Sequence, residues 1–215
     1  MDSFLSREEI SKIGLKSYGN NVFISRHASI YSPEKIVIGD NVRIDDFCIL
    51  SGIIEIGSCV HIAAYSAIYG GDKGVYIYDY ANLSSRVSVY SVSDDYSGNS
   101  MTNPMIPDVY KSVTSGTVRI EKHVIIGSTS VVMPGVTLSE GSAFGAFSFI
   151  THNSEPWTIN VGIPSVKIKN RNKNIIKLEQ MYMSDVLKLS FSTRGGGVTL
   201  CFYYKNNSFV YGAYI

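Results

Sequence analysis

The chain has 215 residues, of which 45% are hydrophobic and 17% charged, and its formal net charge is +1 at pH 7. This composition is typical of a folded protein rather than a disordered one, and a charge so close to neutral gives no general electrostatic basis for binding nucleic acid. No apolar run approaches the roughly 20 residues that a membrane-spanning helix needs, and the start, MDSFLSREE, lacks the basic and apolar regions of a signal peptide, so we expect a cytoplasmic protein.

The first segment, residues 1–21, is predicted to form a helical cap. Ser6 and Glu9 have the spacing of a capping box, in which each side chain accepts a hydrogen bond from the backbone of the other residue. Gly14 is the residue type that commonly ends a helix. We expect this short helix to cover the open end of the structure that follows, because an exposed terminal strand invites edge pairing.

Aliphatic and aromatic anchors recur at every sixth position through residues 22–165. A helix would give a spacing of 3.6 and an ordinary strand a spacing of two, whereas a period of six predicts a solenoid of brief strands with inward side chains stacked rung upon rung. The phase slips across the sequence GGDKGVY. A plain antiparallel β-protein is the alternative, and the poor alternation at period two disfavours it. The anchors are Ile24, Ile30, Ile36, then Ile38, Ile44, Leu50, Ile56, Ile62, Ile68, then Ile77, Leu83, Val89, and finally Ile120, Ile126, Val132, Leu138, Phe144 and Ile150.

A long insertion, residues 90–117, interrupts the repeat. It contains Pro104, Pro107 and clusters of Ser, Asn and Gly, which are typical of loops. A loop of this length in a compact protein is usually functional or disordered. Met105 and Tyr110 are among several apolar side chains that would let the loop dock, so we favour a functional loop.

The C-terminal part, residues 166–215, begins with a basic segment. We expect a helix over 174–189, followed by a β-hairpin that turns near Asn206. The basic segment is either a solvated tail or a site for phosphates, and in a neutral protein it makes an anionic small molecule plausible. Its members are Lys167, Lys169, Arg171, Lys173 and Lys177.

The six-residue rungs, the long loop and the closing Gly162-Ile163-Pro164 sequence resemble the left-handed β-helix acyltransferases. More narrowly, residues 22–171 are similar to the sugar acetyltransferases allied to galactoside and maltose acetyltransferases. The resemblance implies an all-β solenoid, a left-handed parallel β-helix of hexapeptide repeats with one inserted loop. It also implies a homotrimer that binds acetyl-CoA between neighbouring solenoids and places a sugar acceptor against the loop. The implied reaction is acetyl transfer to a sugar hydroxyl or amino group, in surface-polysaccharide or O-antigen synthesis.

The same resemblance implies which residues bind the cofactor. Small side chains on late rungs let the thin pantetheine arm of acetyl-CoA lie along the wall, and basic residues after the Gly-x-Pro sequence meet its phosphates. Simple rung packing is the alternative role for each small residue. The matching positions are Ser128, Ala146, Thr151 and His152 for the arm, and Lys167 and Lys169 for the phosphates, with Arg171 as a further alternative.

The chain departs from the family at the catalytic histidine, because the start of the inserted loop has the sequence SDDY instead. The candidate general bases are therefore His61 and His123, which flank the loop. Asp94 and Asp95 could orient a histidine, hold an acceptor amine or cap the loop. Since a neutral amine is already a good nucleophile, the alternative is an N-acetyltransferase that acts on a nucleotide-linked amino sugar without a histidine base.

Two other classes of protein are less well supported. A zinc carbonic anhydrase on the same solenoid needs three converging histidines, whereas this chain has four scattered ones, so no metal is expected. A non-enzymatic solenoid leaves the inserted loop and the basic segment unexplained.

Overall fold

The structure is a computed structural model that describes residues 3–191, 199–205 and 208–214. It divides into two compact units, Met1–Arg171 and Asn172–Ile215. In the first unit, helix α1 (Arg7–Ile13) has the predicted capping box: Glu9 N donates to Ser6 Oγ at 3.2 Å, and Ser6 N donates to Glu9 Oε2 at 2.7 Å. Gly14 ends the helix in the left-handed conformation, at φ 86°. The predicted N-terminal helix is thereby confirmed.

Twenty short strands follow α1 in the first unit. Two 3₁₀ turns, Pro33–Lys35 and Asp108–Tyr110, lie among them. In chain order the strands are β1 (Ser17–Tyr18), β2 (Phe23–Ile24), β3 (Ser29–Tyr31), β4 (Ile36–Ile38), β5 (Arg43–Ile44), β6 (Ile49–Ile56), β7 (His61–Ile62), β8 (Ala67–Ile77), β9 (Asn82–Leu83), β10 (Ser88–Tyr90), β11 (Val92–Asp94), β12 (Val113–Ser115), β13 (Val118–Ile120), β14 (Ile125–Ile126), β15 (Val131–Val132), β16 (Thr137–Leu138), β17 (Ala143–Phe144), β18 (Phe149–Ile150), β19 (Thr158–Val161) and β20 (Val166–Asn170).

Parallel pairing stacks these strands into three faces of a solenoid. The first face contains β1, β4, the second half of β6, the second half of β8, β13 and β16. The second contains β2, β5, β7, β9, β14, β17 and β19. The third contains β3, the first halves of β6 and β8, β10, β15 and β18.

The core of the solenoid consists of the six-residue anchors. On the second face, for example, Ile44, Ile62, Leu83 and Ile126 lie directly above one another in register, and each is fully buried. Apolar burial of this kind is worth about 1.5–3 kcal/mol for each fully buried side chain, which is why the anchors are aliphatic. The predicted β-solenoid is confirmed.

Left-handed residues form the corners between faces, three positions before the anchors that follow. Examples are Tyr65 (φ 64°), Tyr80 (φ 60°) and His123 (φ 60°). These corners therefore have side chains in a backbone conformation that glycine adopts at lower cost. The residue after each is small and buried, as at Ser66, Ala81 and Val124. The sequence did not reveal this requirement.

The slip in the repeat falls within β8. At Gly70 an added Cβ would lie 2.0 Å from the carbonyl oxygen of Ile53 on the coil below, so only glycine fits there. The extra residues bulge outward, and Ile77 returns to register with Ile56.

The insertion leaves the solenoid after β10 on an antiparallel stem of β11 and β12. Beyond the stem, apolar side chains that we expected to dock are exposed on this chain: Met105 is 87%, Val109 82% and Tyr110 61% exposed, and the neighbouring Tyr96 is 90% exposed. The stack resumes across the gap, because β13 pairs with β8 and β15 pairs with β10.

The last coil is closed by β20, which pairs antiparallel with β19 and carries the chain beyond the expected end of the repeat at residue 165. Arg171 fastens this end: its Nη1 donates to the carbonyl oxygens of His123 at 2.8 Å and Gly141 at 3.0 Å. Burial lowers the pKa of Arg171 below its ordinary value.

The second unit contains helix α2 (Asn174–Phe191) and two antiparallel strands, β21 (Thr199–Lys205) and β22 (Ser208–Tyr214). These are the expected helix and hairpin strands, and the turn expected near Asn206 lies outside the described residues. In the part of the chain that is described, no helix is long and apolar enough to cross a membrane.

Candidate active site

A polar cluster lies on the outer surface of the second face. Because β5, β7 and β9 stack in register, Arg43, His61 and Asn82 follow one another outward on neighbouring coils. His61 Nε2 lies 2.8 Å from Asp45 Oδ2, and His61 Nδ1 lies 3.2 Å from Asn82 Oδ1. Arg43 Nε donates to the other oxygen of Asp45 at 2.6 Å. Both partners are oxygen acceptors, so a neutral ring can donate to only one of them, whichever tautomer it adopts.

The carboxylate beside His61 is Asp45, and the sequence suggested Asp94 or Asp95 instead. The reason is the coil repeat, which brings a residue 16 positions earlier next to His61. His61 lies on strand β7, and the left-handed corner residue before it is Cys59. Neither Arg43 nor Asn82 was predicted from the sequence. The signal that could have found them is their separation from His61, which is 18 residues for Arg43 and 21 residues for Asn82.

The Asp45 carboxylate remains charged at neutral pH. Its partial burial on its own would raise its pKa, but the hydrogen bonds from Arg43 and His61 outweigh that effect and hold the pKa below its ordinary value. The side chain of Asp45 is 18% exposed and that of His61 40%, so the pair lies at the edge of the water. The group can orient an imidazole, because Nε2 can donate to Asp45 while the unprotonated Nδ1 faces the Asn82 oxygen.

His123 lies in a different environment from His61. It is 3% exposed, its ring stacks on Tyr80 with centroids 5.1 Å apart, and Trp157 lies 6.2 Å away. The backbone of His123 forms a left-handed corner, and its carbonyl oxygen accepts from Arg171. This is a packing position inside the corner.

The two aspartates of the insertion differ in their surroundings. Asp95 accepts from Ser97 N at 2.8 Å, from Ser97 Oγ at 3.0 Å and from Ser100 Oγ at 2.9 Å, and these hydrogen bonds lower its pKa. Asp95 thus holds the start of the loop in a turn. Asp94 lies opposite Val113 at the end of the stem and is exposed to solvent.

Two of the expected cofactor positions, Ser128 and Ala146, lie along the corner between the second and third faces. Ser128 Oγ and Ser85 Oγ are 3.3 Å apart on neighbouring coils, and Ala146 occupies the same place one coil further on. Ser85 was not predicted, although it follows its anchor Leu83 at the spacing by which Ser128 follows Ile126. Small side chains leave this edge open. Thr151 Oγ1 contacts His152 Nδ1 at 2.8 Å beyond the corner.

The two candidate lysines are placed differently. Lys167 Nζ lies 2.7 Å from a Glu155 carboxylate oxygen, and its side chain lines a cavity of about 130 Å³ with His152 and Asn160. Lys169 lies on the exposed strand β20, paired through its backbone with Ile159. Lys169 is therefore the better placed of the two to meet an anion in solution. Across the described residues, no group of three or more His, Cys, Asp or Glu side chains could hold a metal ion.

No protein-family model matches the chain. It is 50% identical over 183 residues to the dTDP-4-amino-4,6-dideoxy-D-glucose acyltransferase of Escherichia coli, a match that covers 84% of this chain and 95% of the relative. AntD, an N-acyltransferase from Bacillus cereus solved in complex with dTDP and 3-hydroxybutyryl-CoA, is 52% identical over 87% of this chain and 100% of that one, with a TM-score of 0.86. Galactoside acetyltransferase in complex with coenzyme A has the same fold, at 22% identity and a TM-score of 0.51 over 78% of this chain and 71% of that one. The chain is thus an acyltransferase that belongs to the hexapeptide-repeat family of sugar acetyltransferases, the family that its repeats and insertion resemble.

Proposed function

We propose that the protein transfers an acyl group from acyl-CoA to the amino group of a dTDP-linked 4-amino-4,6-dideoxy sugar. The main support for this proposal is the 50% sequence identity to an enzyme named for acylating such a sugar, in a match that covers 95% of that enzyme. AntD supports both substrates of the proposal, since its structures hold coenzyme A together with dTDP or dTDP-4-amino-4,6-dideoxyglucose. The acetyl group expected from the sequence is one possible acyl group, and 3-hydroxybutyryl is another.

The contacts of the His61 ring favour an amine over a hydroxyl as the acceptor group. Nε2 can donate to Asp45, but Asn82 covers the unprotonated Nδ1, so a sugar hydroxyl would have to displace Asn82 to reach it. A neutral amine attacks the thioester carbon directly, forming a C–N bond as the C–S bond breaks. The nitrogen loses one proton and the departing thiolate gains one, so the transfer is balanced without a second reactant.

Asp94 is the residue of this chain that we assign to the acceptor. Its exposed carboxylate stands where the insertion leaves the stem, and a carboxylate attracts an ammonium group before the amine loses its proton. Asp95 keeps the adjoining turn in shape through Ser97 and Ser100. His123 is assigned to corner packing rather than to proton transfer.

The corner formed by Ser85, Ser128 and Ala146 is the proposed path of the pantetheine arm, with Lys169 directed at the phosphates. We further propose a homotrimer in the cytoplasm whose product is used in surface-polysaccharide synthesis. The exposed apolar tip of the insertion supports the trimer, since Tyr96, Met105 and Val109 need a cover that this chain does not give them. Light scattering that gave a monomer mass at micromolar concentration would contradict this assembly.

O-acetylation of a sugar with His61 as general base is the second candidate. One observation favours it: the 2.8 Å contact between His61 and Asp45 is the acid–histidine pairing that orients and stabilises a catalytic imidazole. The mechanism requires Asn82 to release the Nδ1 atom when substrate binds.

The test is a mass-spectrometric comparison of products. Purified enzyme is given acetyl-CoA or 3-hydroxybutyryl-CoA with dTDP-4-amino-4,6-dideoxyglucose, with the same nucleotide carrying a hydroxyl in place of the amine, and with free glycosides. We expect an amide product from the amino sugar alone. Ester formation on the hydroxyl analogue at a comparable rate would establish the second candidate, and the absence of any acylated nucleotide would overturn the proposal.

A further inference from the structure

An exposed stack of rings runs along the corner between the second and third faces on the early coils. The rings of His27 and Phe47 are 5.4 Å apart between centroids, those of Phe47 and Tyr65 are 4.9 Å apart, and Arg86 places its guanidinium carbon 5.1 Å above the Tyr65 ring. We call these four residues the aromatic column. Each of its last three members is a left-handed corner residue, with φ between 60° and 64°.

The exposure of the aromatic column separates it from ordinary corner packing. Phe47 is 48% exposed and Tyr65 is 53% exposed. At another corner of the solenoid, Tyr80 stacks on His123, and there Tyr80 is half-buried and His123 is almost fully buried. The solenoid can therefore bury stacked corner rings, and it leaves this one open to water. Exposed aromatic surface in a row is a common feature of ligand sites.

The column continues the proposed cofactor path. Arg86 directly follows Ser85 on one coil, with Ser128 and Ala146 on the later coils of the corner and the three rings of the column on the earlier ones. Neighbouring coils are about 4.8 Å apart, so the corner from Arg86 to Phe47 is about 10 Å long. A donor thioester on the later coils and an acceptor on the earlier ones would meet between them.

The chemistry of the column fits a nucleotide. Among the described residues no carboxylate contacts the Arg86 guanidinium, and a guanidinium binds phosphate oxygens in a fork. The carboxylates nearest along the chain to the column are already engaged, Asp46 by Ser25 and Asp45 by Arg43 and His61. Aromatic rings pack against a nucleobase with little loss of side-chain entropy, because they have few rotatable bonds.

We infer that the aromatic column binds the nucleoside diphosphate part of the acceptor, with Arg86 on the diphosphate and the exposed edges of Tyr65 and Phe47 against the base. The inference rests on the proposed function, because it takes the acceptor to be a dTDP-linked sugar. It adds the residues that select a nucleotide-linked sugar over a free one.

The experiment measures binding of dTDP, thymidine and coenzyme A by calorimetry to the full-length wild-type protein and to Arg86→Gln and Tyr65→Ala. Arg86→Gln should weaken dTDP binding by about tenfold or more, the loss expected for one charge-assisted phosphate contact, and should not change thymidine binding. Tyr65→Ala should weaken both. Coenzyme A affinity should stay within about twofold in each variant, which also shows that the variants are folded.

The matched control is Arg119→Gln, because Arg119 also lies over a tyrosine ring, at 5.3 Å from Tyr76 on another face. It should leave dTDP binding unchanged. Unaltered dTDP affinity in Arg86→Gln and Tyr65→Ala would overturn the inference. So would dissociation of the oligomer in Tyr65→Ala, seen by light scattering, since the column would then be a contact between copies of the chain. Wild-type acylation of the dTDP-amino sugar, measured in parallel, separates failure of this inference from failure of the proposed function.

Discussion

Replacement of His61 by Asn tests the polar cluster on the second face most directly. The change removes the 2.8 Å contact to Asp45 and the 3.2 Å contact to Asn82. A hydrogen bond to a charged group contributes about 1.5–3 kcal/mol, and because the His61 side chain is 40% exposed we expect the low end, about 1.5 kcal/mol of lost stability. If His61 only positions its neighbours, kcat should fall by less than about tenfold; a general base would cost 10²–10⁴.

The assay combines urea unfolding with steady-state kinetics across pH. Because the folded-state pKa of Asp45 lies below its ordinary value of about 3.9, its carboxylate stabilises the fold fully above that value and less as the pH falls below it. Asp45→Asn should therefore lose stability at pH 7, and the difference should shrink below about pH 4. Asp72→Asn, an exposed carboxylate on another coil, serves as the control. A fall in kcat of more than a hundredfold in His61→Asn, with stability retained, would refute the positioning role.

Three further predictions concern the acceptor, the donor and the corners. Asp94→Asn should raise the acceptor KM and change kcat little, because a carboxylate that attracts an ammonium acts on binding; steady-state kinetics with varied amino sugar would detect this. Lys169→Ala should weaken acetyl-CoA binding by about tenfold and should not weaken binding of a truncated thioester that lacks the nucleotide. Lys167→Ala should have the smaller effect, because Lys167 is paired with Glu155. An equal loss of affinity for both thioesters would contradict this role of the lysines. Gly141→Ala should destabilise the fold by about 2–4 kcal/mol, because Gly141 has a φ of 67° and an added Cβ would lie 2.4 Å from the ring of Trp157. Gly98→Ala on the open loop should cost only about 1–2 kcal/mol, because an added Cβ there meets no other atom within 4 Å. Thermal unfolding of both variants would show the difference.

Most of the fold could be predicted from the sequence, because a single period controls it. An anchor such as Leu138 or Phe144 stacks on the one below whenever the spacing stays at six, and the capping box of Ser6 and Glu9 is a local signal. The slip at Gly70 was visible as an irregularity. Its cause, the close approach to the Ile53 carbonyl, depends on the neighbouring coil and could not be deduced from the spacing alone.

The candidate site was harder to predict, because its members are neighbours across coils rather than along the chain. His61 was named, but its partners Asp45 and Asn82 lie 16 and 21 residues away, at distances that depend on the length of each coil. The sequence also could not separate the two aspartates of the insertion, since only the turn around Asp95 shows which carboxylate is already satisfied. Exposure of the aromatic column is a property of the corner backbone, which the six-residue pattern does not describe.

The way in which the stack resumes across the insertion bears on how such enzymes change acceptor. Residues on successive coils are normally 18 to 21 positions apart, whereas Ser85 and Ser128 meet across 43. By the usual dependence of closure entropy on chain length, the longer interval costs only about 0.8 kcal/mol more than an ordinary coil. The insertion is thus nearly an independent module, joined to the scaffold at Tyr90 and Val118. Loops of other lengths and compositions could be exchanged at that joint, and a new acceptor preference could arise while the donor-binding coils stay unchanged.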